Sequence, residues 1–430
     1  MKYSIPKGVF DILPQEKLPE DAWRTSDRWQ YVEAMIRKVA QDYDFKEIRT
    51  PIFEHTDLFT RGVGDSSDIV SKEMYTFQDR AERSLSLRPE NTASVMRAFM
   101  EKHLHHMPGL HKYYYIGPMF RYERPQAGRF RQHHQFGAEA VGIGLPEQDV
   151  EVIDLLCELY RRLGLKNLTV NLNSIGDEET RAAYRKALTE YLQPHFEQLS
   201  ADSKARFSKN ILRILDSKDP EDQKLLQNAP SILTMLSADA KDHFMRVQQL
   251  LDNLGIHYVL NPKLVRGLDY YNKTVFEITS GELGAQNSIG GGGRFDGLLS
   301  LLGGPNLPAV GFATGIERLL QTMAAQQVYF PPPPHPLIFL VALGESAKDY
   351  CLDLLFKLRH AGIASEMDLQ GKKVGQALQL ADGLKAEYSV VIGDEELKSG
   401  QIKLKEMKTR TETPVALKEL IATLLELANA

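Results

Sequence analysis

The stretch KYYYIGPMFRYERPQAGRFRQHHQFGAEAVG, Lys112–Gly142, decides the fold. Its two ends, KYYYIGPMFRYE and QHHQFGAEAVG, are aromatic or alternating segments of strand character. The loop between them carries Pro125 and Gly128, the signal of a hairpin with a long turn. Strands that follow one another this way are antiparallel, so the expected core is α+β around an antiparallel sheet, not a parallel Rossmann arrangement. Side chains alternate along a strand, which puts Arg121 and Glu123 on one face of the outgoing strand and Gln135, Gly137 and Glu139 on one face of the return strand. Phe120–His134 also packs four arginines and two histidines into a chain of formal net charge -5. The loop holds Arg124, Gln126, Arg129 and Arg131, and arginine forks match phosphate oxygens. The simpler alternative is a solvated charged hairpin.

Four other segments carry candidate chemistry. In LVRGLDYYNKTVFEI (Leu264–Ile278), Arg266 lies among apolar and aromatic residues, where it needs an anion; a structural pair with Asp269 is the alternative. GGGGRFDGL (Gly290–Leu298) lacks the lysine of a phosphate-binding P-loop, so its glycines are read as permitting close approach of a backbone or ligand to a strand. AVGFATGIERLL (Ala309–Leu320) reads as an apolar strand, a turn, and a helix starting near Gly315. Arg318 in its first turns opposes the helix dipole, which favours a ligand role over a dipole-matching one. SLRPENTASVMRAF (Ser86–Phe99) reads at least as a helix N-terminus. His103, His105, His106 and His111 sit beside Pro108-Gly109 without a carboxylate framework, and no metal site is assigned to them.

At 430 residues, 43% apolar and 25% charged, the chain has the composition of a globular protein of several domains. Its charge excludes gripping nucleic acid by bulk electrostatics and leaves only local patches for that purpose. Two distant cysteines, Cys157 and Cys351, support neither a disulfide framework nor a cysteine zinc site. With no signal-like segment and no apolar run long enough to span a bilayer, a cytoplasmic protein without membrane association is expected. The Pro-rich run PPPPHP (Pro331–Pro336) marks a stiff linker. The expected division is a core of residues 1–176 and 256–325, a helical insertion 177–255, a linker 326–336, and an α/β domain 337–430. The last of these is expected to hold a largely parallel sheet and a final helix from Val415. Its 12 Lys and Arg against 14 Asp and Glu, a net of -2, do not mark it as an RNA binder.

Taken in order, these segments resemble the class II aminoacyl-tRNA synthetases, and within that class the histidyl-tRNA synthetase family. FKEIRTPIFEHTDLF (Phe45–Phe59) looks like the dimer-forming motif 1, FRYE with its arginine-rich loop like motif 2, and VGFATGIERL like motif 3. LVRGLDYY and GGRFDGL are similar to the two signatures that set the histidine family apart. The resemblance implies activation of L-histidine by ATP with Mg2+, transfer to the 3' end of tRNA(His), and a homodimer. It implies Arg121 and Arg266 as the catalytic cations, and Arg121, Glu123, Arg129, His133 and Arg318 around ATP. It further implies Glu90, Thr92, Gln135, Glu139, Arg266 and Tyr271 around histidine, Gln126 and Arg131 toward the tRNA acceptor end, and an anticodon-binding role for the C-terminal domain.

Three positions depart from the family pattern. His133 stands where a Phe commonly stacks on adenine, Asn91 where Gly is frequent, and Phe295 where a Tyr is common, which would remove one hydroxyl from the pocket rim. The competing reading is a synthetase-like regulatory subunit of histidine biosynthesis, which would sense histidine without charging tRNA. Such proteins usually lack the anticodon module, and here the residues after Pro336 are present. A threonine, proline or glycine enzyme is disfavoured by LVRGLDYY and leaves Glu139 unexplained.

Overall fold

A computed structural model describes residues 3–428 except 65, 66, 68, 124–127 and 282–286. It separates into two compact units, Met1–Phe330 and Pro331–Ala430. The first is built on an eight-stranded sheet with the strands in the order Lys46–Glu47, His111–Phe120, Gln132–Val141, Ala309–Gly315, Ser288–Arg294, Asn272–Ser280, Leu168–Ser174 and Tyr258–Leu260. All pairings are antiparallel except the two outermost, Lys46–Glu47 on His111–Phe120 and Leu168–Ser174 on Tyr258–Leu260. The hairpin zips over ten residue pairs, from His111 opposite Val141 to Phe120 opposite Gln132.

One face of the sheet packs on the helices Ser26–Asp42, Pro146–Arg162 and Ile316–Ala325, whose Ile36, Leu156, Leu159 and Leu320 are fully buried with Phe136, Phe276 and Phe312 from the strands. Residues 177–255 contribute the helices Glu178–Leu192, Ala201–Phe207, Pro220–Leu225 and Ala238–Asn253. Their periodic positions Tyr184, Leu188, Leu192, Phe244, Val247 and Leu251 are buried. Leu254, which shares that spacing, is exposed because the helix ends one residue earlier; Gly255 follows at a φ of 70°, where a glycine costs least.

A buried ion pair fixes how these layers meet. Arg294, with no exposed surface, ends the glycine strand and donates to the carboxylates of Asp149 and Asp296 and to the carbonyls of Ile143 and Leu145. The other oxygen of Asp149 meets His243 Nε2 at 2.5 Å and accepts from Thr274 Oγ1 at 2.8 Å. One carboxylate thus joins the helix Pro146–Arg162, the helix Ala238–Asn253 and two central strands. Burial pushes its pKa up, but the His243 bond and the Arg294 charge outweigh that and hold it below the usual carboxylate range.

The second unit has a five-stranded sheet in the order Ser365–Met367, Ile338–Ala342, Tyr388–Ile392, Gln401–Glu406, Glu412–Ala416. The expected largely parallel sheet is only half right: the first three strands are parallel, and the last two form an antiparallel hairpin. Val415 lies in the edge strand, not in a helix, and the final helix is Leu420–Ala428. TETPVA alternates as a strand does, and its Pro414 is tolerated because the strand lies at the edge. Among the described residues no helix is long and apolar enough to cross a membrane.

Removing one partner of the central pair leaves the other charge buried and unpaired. Arg294→Met should therefore destabilise the folded chain by about 3–5 kcal/mol, read as a lower denaturant midpoint at neutral pH, while a surface ion-pair change such as Lys38→Met should shift it by less than about 1 kcal/mol.

Candidate active site

The two long hairpin strands, the strands Asn272–Ser280, Ser288–Arg294 and Ala309–Gly315, and the Leu264–Tyr271 loop enclose two adjoining cavities. One, of about 570 Å3, is lined by Glu90, Thr92, Tyr115, Arg121, Gln135, Glu139, Arg266 and Tyr271 together with residues 215–218. The other, of about 970 Å3, is lined by Arg121, Glu123, Arg129, His133, Gln135, Arg266, Glu317 and Arg318. Arg121, Gln135 and Arg266 line both.

The first cavity is built around two buried carboxylates. Glu139, 1% exposed on the return strand, accepts from Thr92 Oγ1 at 2.7 Å through one oxygen, while its second oxygen is buried without a partner. Gly311 on the neighbouring strand makes room for it: a Cβ there would lie 1.8 Å from Glu139 Oε2. Gly137 does the same for the Tyr115 ring facing it across the hairpin. Burial, with Glu90 nearby, holds the Glu139 carboxyl well above its ordinary range despite the Thr92 and Tyr115 hydroxyls. Glu90 accepts from the backbone N–H groups of Thr92 (2.7 Å) and Ala93 (3.0 Å), capping the helix Thr92–Glu101, and burial raises its pKa too. Gln135 Oε1, like Glu139 Oε2, is a buried acceptor without a partner. Acceptors alone in a dry pocket with negative character call for a ligand rich in N–H donors and positive charge.

Arg266 pairs with Glu277, 2.9 Å away, and not with Asp269, because the loop folds back onto the strand Asn272–Ser280, a contact that local spacing does not encode. Asp269 instead accepts from Asn210 at 2.9 Å. Burial lowers the Arg266 pKa, but the Tyr271 and Glu277 oxygens outweigh it and the net shift is upward. The glycine run lies beneath: a Cβ at Gly291 would fall 2.6 Å from the Phe276 carbonyl and 3.0 Å from Arg266 Nη1. Tyr270 and Tyr271 are buried with ring centroids 4.7 Å apart.

The second cavity is cationic on its floor. Arg121 is held by its Nε bond to the Pro89 carbonyl (2.8 Å), Arg129 by Glu123 (2.6 Å), and Arg318 by the carbonyls of Ser288 (2.8 Å) and Gly128 (3.3 Å). Burial and the neighbouring Arg121 push the His133 pKa down to about 3, so the ring is a neutral imidazole with a face to offer. Glu317, buried and not anticipated from sequence, accepts from the His134 backbone N–H (2.9 Å) and contacts its Nδ1 (3.0 Å), fixing the strand next to His133. Glu317 and Glu277 were missed because each is one acidic residue in an amphipathic segment; only strand order brings them to the cavities.

Arg131 lies outside both cavities. Its guanidinium stacks 4.0 Å over the Tyr122 ring, and its backbone N–H donates to Gly8. Gln126 falls outside the described residues. Asn91 has a φ of -119°, so no left-handed backbone is demanded there. Phe295 is not on the rim: it is buried behind Tyr270 and Tyr271, with centroids 5.5 and 6.4 Å away, where a hydroxyl would lack water. Where the sequence assigns no metal site, the nitrogens of His103, His105 and His106 lie within 4.8 Å of one another, and the His103 and His106 rings are stacked, 5.7 Å apart and 9° from parallel.

Residues 14–319 match the family model described as Histidyl-tRNA synthetase, and residues 338–427 match the one described as Anticodon binding domain. Among curated proteins, the chain is 56% identical to a "Histidine--tRNA ligase" of Protochlamydia amoebophila, covering 99% of this chain and 100% of that one. It is 49% identical to the protein of that name from Bacillus subtilis over 98% of each. The crystal structure of apo S. aureus histidyl-tRNA synthetase superposes with a TM-score of 0.83 at 36% identity, covering 98% of this chain and 99% of that one.

A carboxyl whose pKa is raised on folding lowers stability as pH rises from its unfolded value, near 4.5, through the folded one. Glu139→Gln, neutral at every pH, should therefore raise the melting temperature above pH 7 and flatten its fall between pH 5 and 8 in thermal melts. Gly311→Ala should lower it at every pH, since the new methyl would lie 1.8 Å from the Glu139 carboxylate and 2.6 Å from the Ala138 carbonyl.

Proposed function

The chain belongs to the histidyl-tRNA synthetase family, and from that premise we propose how its residues divide the reaction. The activity is the ATP-dependent joining of L-histidine to tRNA(His); the regulatory reading is set aside, since relatives named as ligases match over the full length and the anticodon-binding segment is present. ATP enters as its Mg2+ complex, so that cation belongs to the substrate.

The carrying observation is that Arg121 and Arg266 line both cavities. Histidine occupies the smaller one and ATP the larger, so the histidine carboxylate and the α-phosphate meet at these two guanidiniums. Attack of the carboxylate oxygen on the α-phosphorus forms the acyl-phosphate bond of histidyl-adenylate and expels pyrophosphate. The terminal ribose hydroxyl of the tRNA then takes the acyl group and releases AMP. Two anions repel until a fixed cation sits between them, and a preorganised cation in a water-poor site costs no reorganisation when charge develops.

Within the smaller cavity the unpartnered Oε2 of Glu139 accepts one imidazole N–H, Tyr271 meets the other ring nitrogen, and Glu90 with Thr92 receives the α-ammonium. Gln135 Oε1 serves the substrate backbone. A site that bonds both ring nitrogens leaves buried groups unpaired when the wrong amino acid enters, which supports discrimination of about 10⁴-fold without editing. Around ATP, Glu123 accepts from the adenine amino group, His133 and Arg318 stack on the base, and Arg129 serves the phosphates. Gln126 and Arg131 are assigned to the tRNA acceptor end. We place the protein in the cytoplasm as a homodimer formed through Phe45–Phe59. The half-exposed Ile52, Phe53 and Phe77 support that face, with the last two rings 6.4 Å apart on a small three-stranded sheet.

ATP–pyrophosphate exchange assayed with each of the twenty amino acids should respond to histidine alone. Arg266→Ala should lower kcat/KM by about 10²–10³-fold, the magnitude for a group stabilising developing charge, and Glu139→Gln by about 100-fold. Exchange driven by another amino acid would overturn the assignment of the smaller cavity.

A further inference from the structure

The loop that carries Arg266 and Tyr271 is held from one side by three residues of the 177–255 segment. Arg213, in the turn Ile211–Asp216, donates from Nη1 to the carbonyl of Arg266 itself at 3.1 Å, and lies against Gly267, where a Cβ would approach Nη1 to 3.4 Å. Asn210 Nδ2 donates to Asp269 Oδ1 at 2.9 Å. Arg181, on the helix Glu178–Leu192, donates from Nη1 to the carbonyl of Tyr271 at 2.8 Å and is oriented by Glu178 at 2.6 Å. The same segment continues into the cavity walls, with Leu215–Lys218 lining the smaller one and Asp216 and Lys218 the larger. Loops of this kind contain no ladder of their own: among the described residues Arg266 and Gly267 make no backbone bond to a strand, and side-chain donors of this kind orient them.

We propose that Arg213 and Arg181 are positioning residues of histidine activation: the inserted segment is a frame for the amino-acid loop, with Arg213 setting the direction of Arg266 and Arg181 that of Tyr271. The proposal rests on the roles given above to Arg266 and Tyr271. Two carbonyls five residues apart are gripped by two separate guanidiniums, so the two grips act on different steps. Arg213 governs the group that meets the reacting anions, and Arg181 governs the group that recognises the side chain.

The test is steady-state ATP–pyrophosphate exchange, normalised by active-site titration of adenylate formed per subunit, with melting temperatures in parallel. Arg213→Met should lower kcat about tenfold, the order of one charged hydrogen bond, with KM for ATP within about twofold; Arg213→Lys, which still reaches a carbonyl, should recover most of the loss. Arg181→Met should raise KM for histidine several-fold, about fivefold, with kcat little changed. Normal kinetics in both Met variants would overturn the proposal, as would equal losses in kcat and KM that follow the drop in melting temperature, or a Lys variant as impaired as the Met one. If Arg213→Met does not fold, the Arg181→Met split alone decides. Arg266→Ala separates the two levels: its retention of full exchange would overturn the role of Arg266, whereas its loss beside an unaffected Arg213→Met would overturn only the frame.

Discussion

The pairing of Arg294 with Asp149 is the constraint on which the catalytic architecture rests. Neither residue has accessible surface, and each has further partners: Arg294 two carbonyls and Asp296, Asp149 the side chains of His243 and Thr274. A charge brought into a core without such partners would be expelled or neutralised. With them, the pair pins the end of the glycine strand to the helix behind the sheet and to the last helix of the inserted segment. The strand that passes under Arg266 is therefore held at a fixed depth from its Arg294 end.

That depth matters because the strand has no side chains to adjust it. Across Gly290–Gly293 any Cβ would meet Tyr160, Phe276, Gly311 or Thr274 at 2.0–2.6 Å. The bare backbone lets neighbouring strands and Arg266 approach more closely than a substituted strand allows, and Gly311 repeats the device for Glu139. Glycine in a strand costs conformational entropy. Here that loss is offset by a cavity floor on which charged groups are brought close to where a ligand lies.

The two cavities have opposite electrostatic characters across a shared wall. Glu90 and Glu139 are forced into surroundings that resist their charge, and their pKa values rise. Among the arginines next door, carbonyls hold Arg121 and Arg318 and the Glu123 carboxylate holds Arg129, so their positive charge is directed. A ligand that is cationic at one end and anionic at the other fits the smaller cavity only with its carboxylate toward Arg121 and Arg266. In the proposed binding mode, charge alone turns the reactive end of histidine toward the nucleotide.

The sequence by itself determined the local features. Period-two alternation around a Pro/Gly loop made the hairpin, Arg121 and Glu139 readable, and the proline run marked the break near the boundary between the two units. The order of motifs supplied the family. Composition did not reveal the C-terminal unit's mixed sheet, because a half-parallel and a fully parallel arrangement share the same short apolar strands. Tertiary structure alone decided the partners: Glu277 for Arg266, Glu317 for His134, Phe295 behind the tyrosines, and Arg213 and Arg181 on the loop. Such pairings join residues 11 to 183 positions apart. Local propensity acts over a few residues, whereas these contacts exist only once the strand order places the Ala309–Gly315 strand between Gln132–Val141 and the glycine strand.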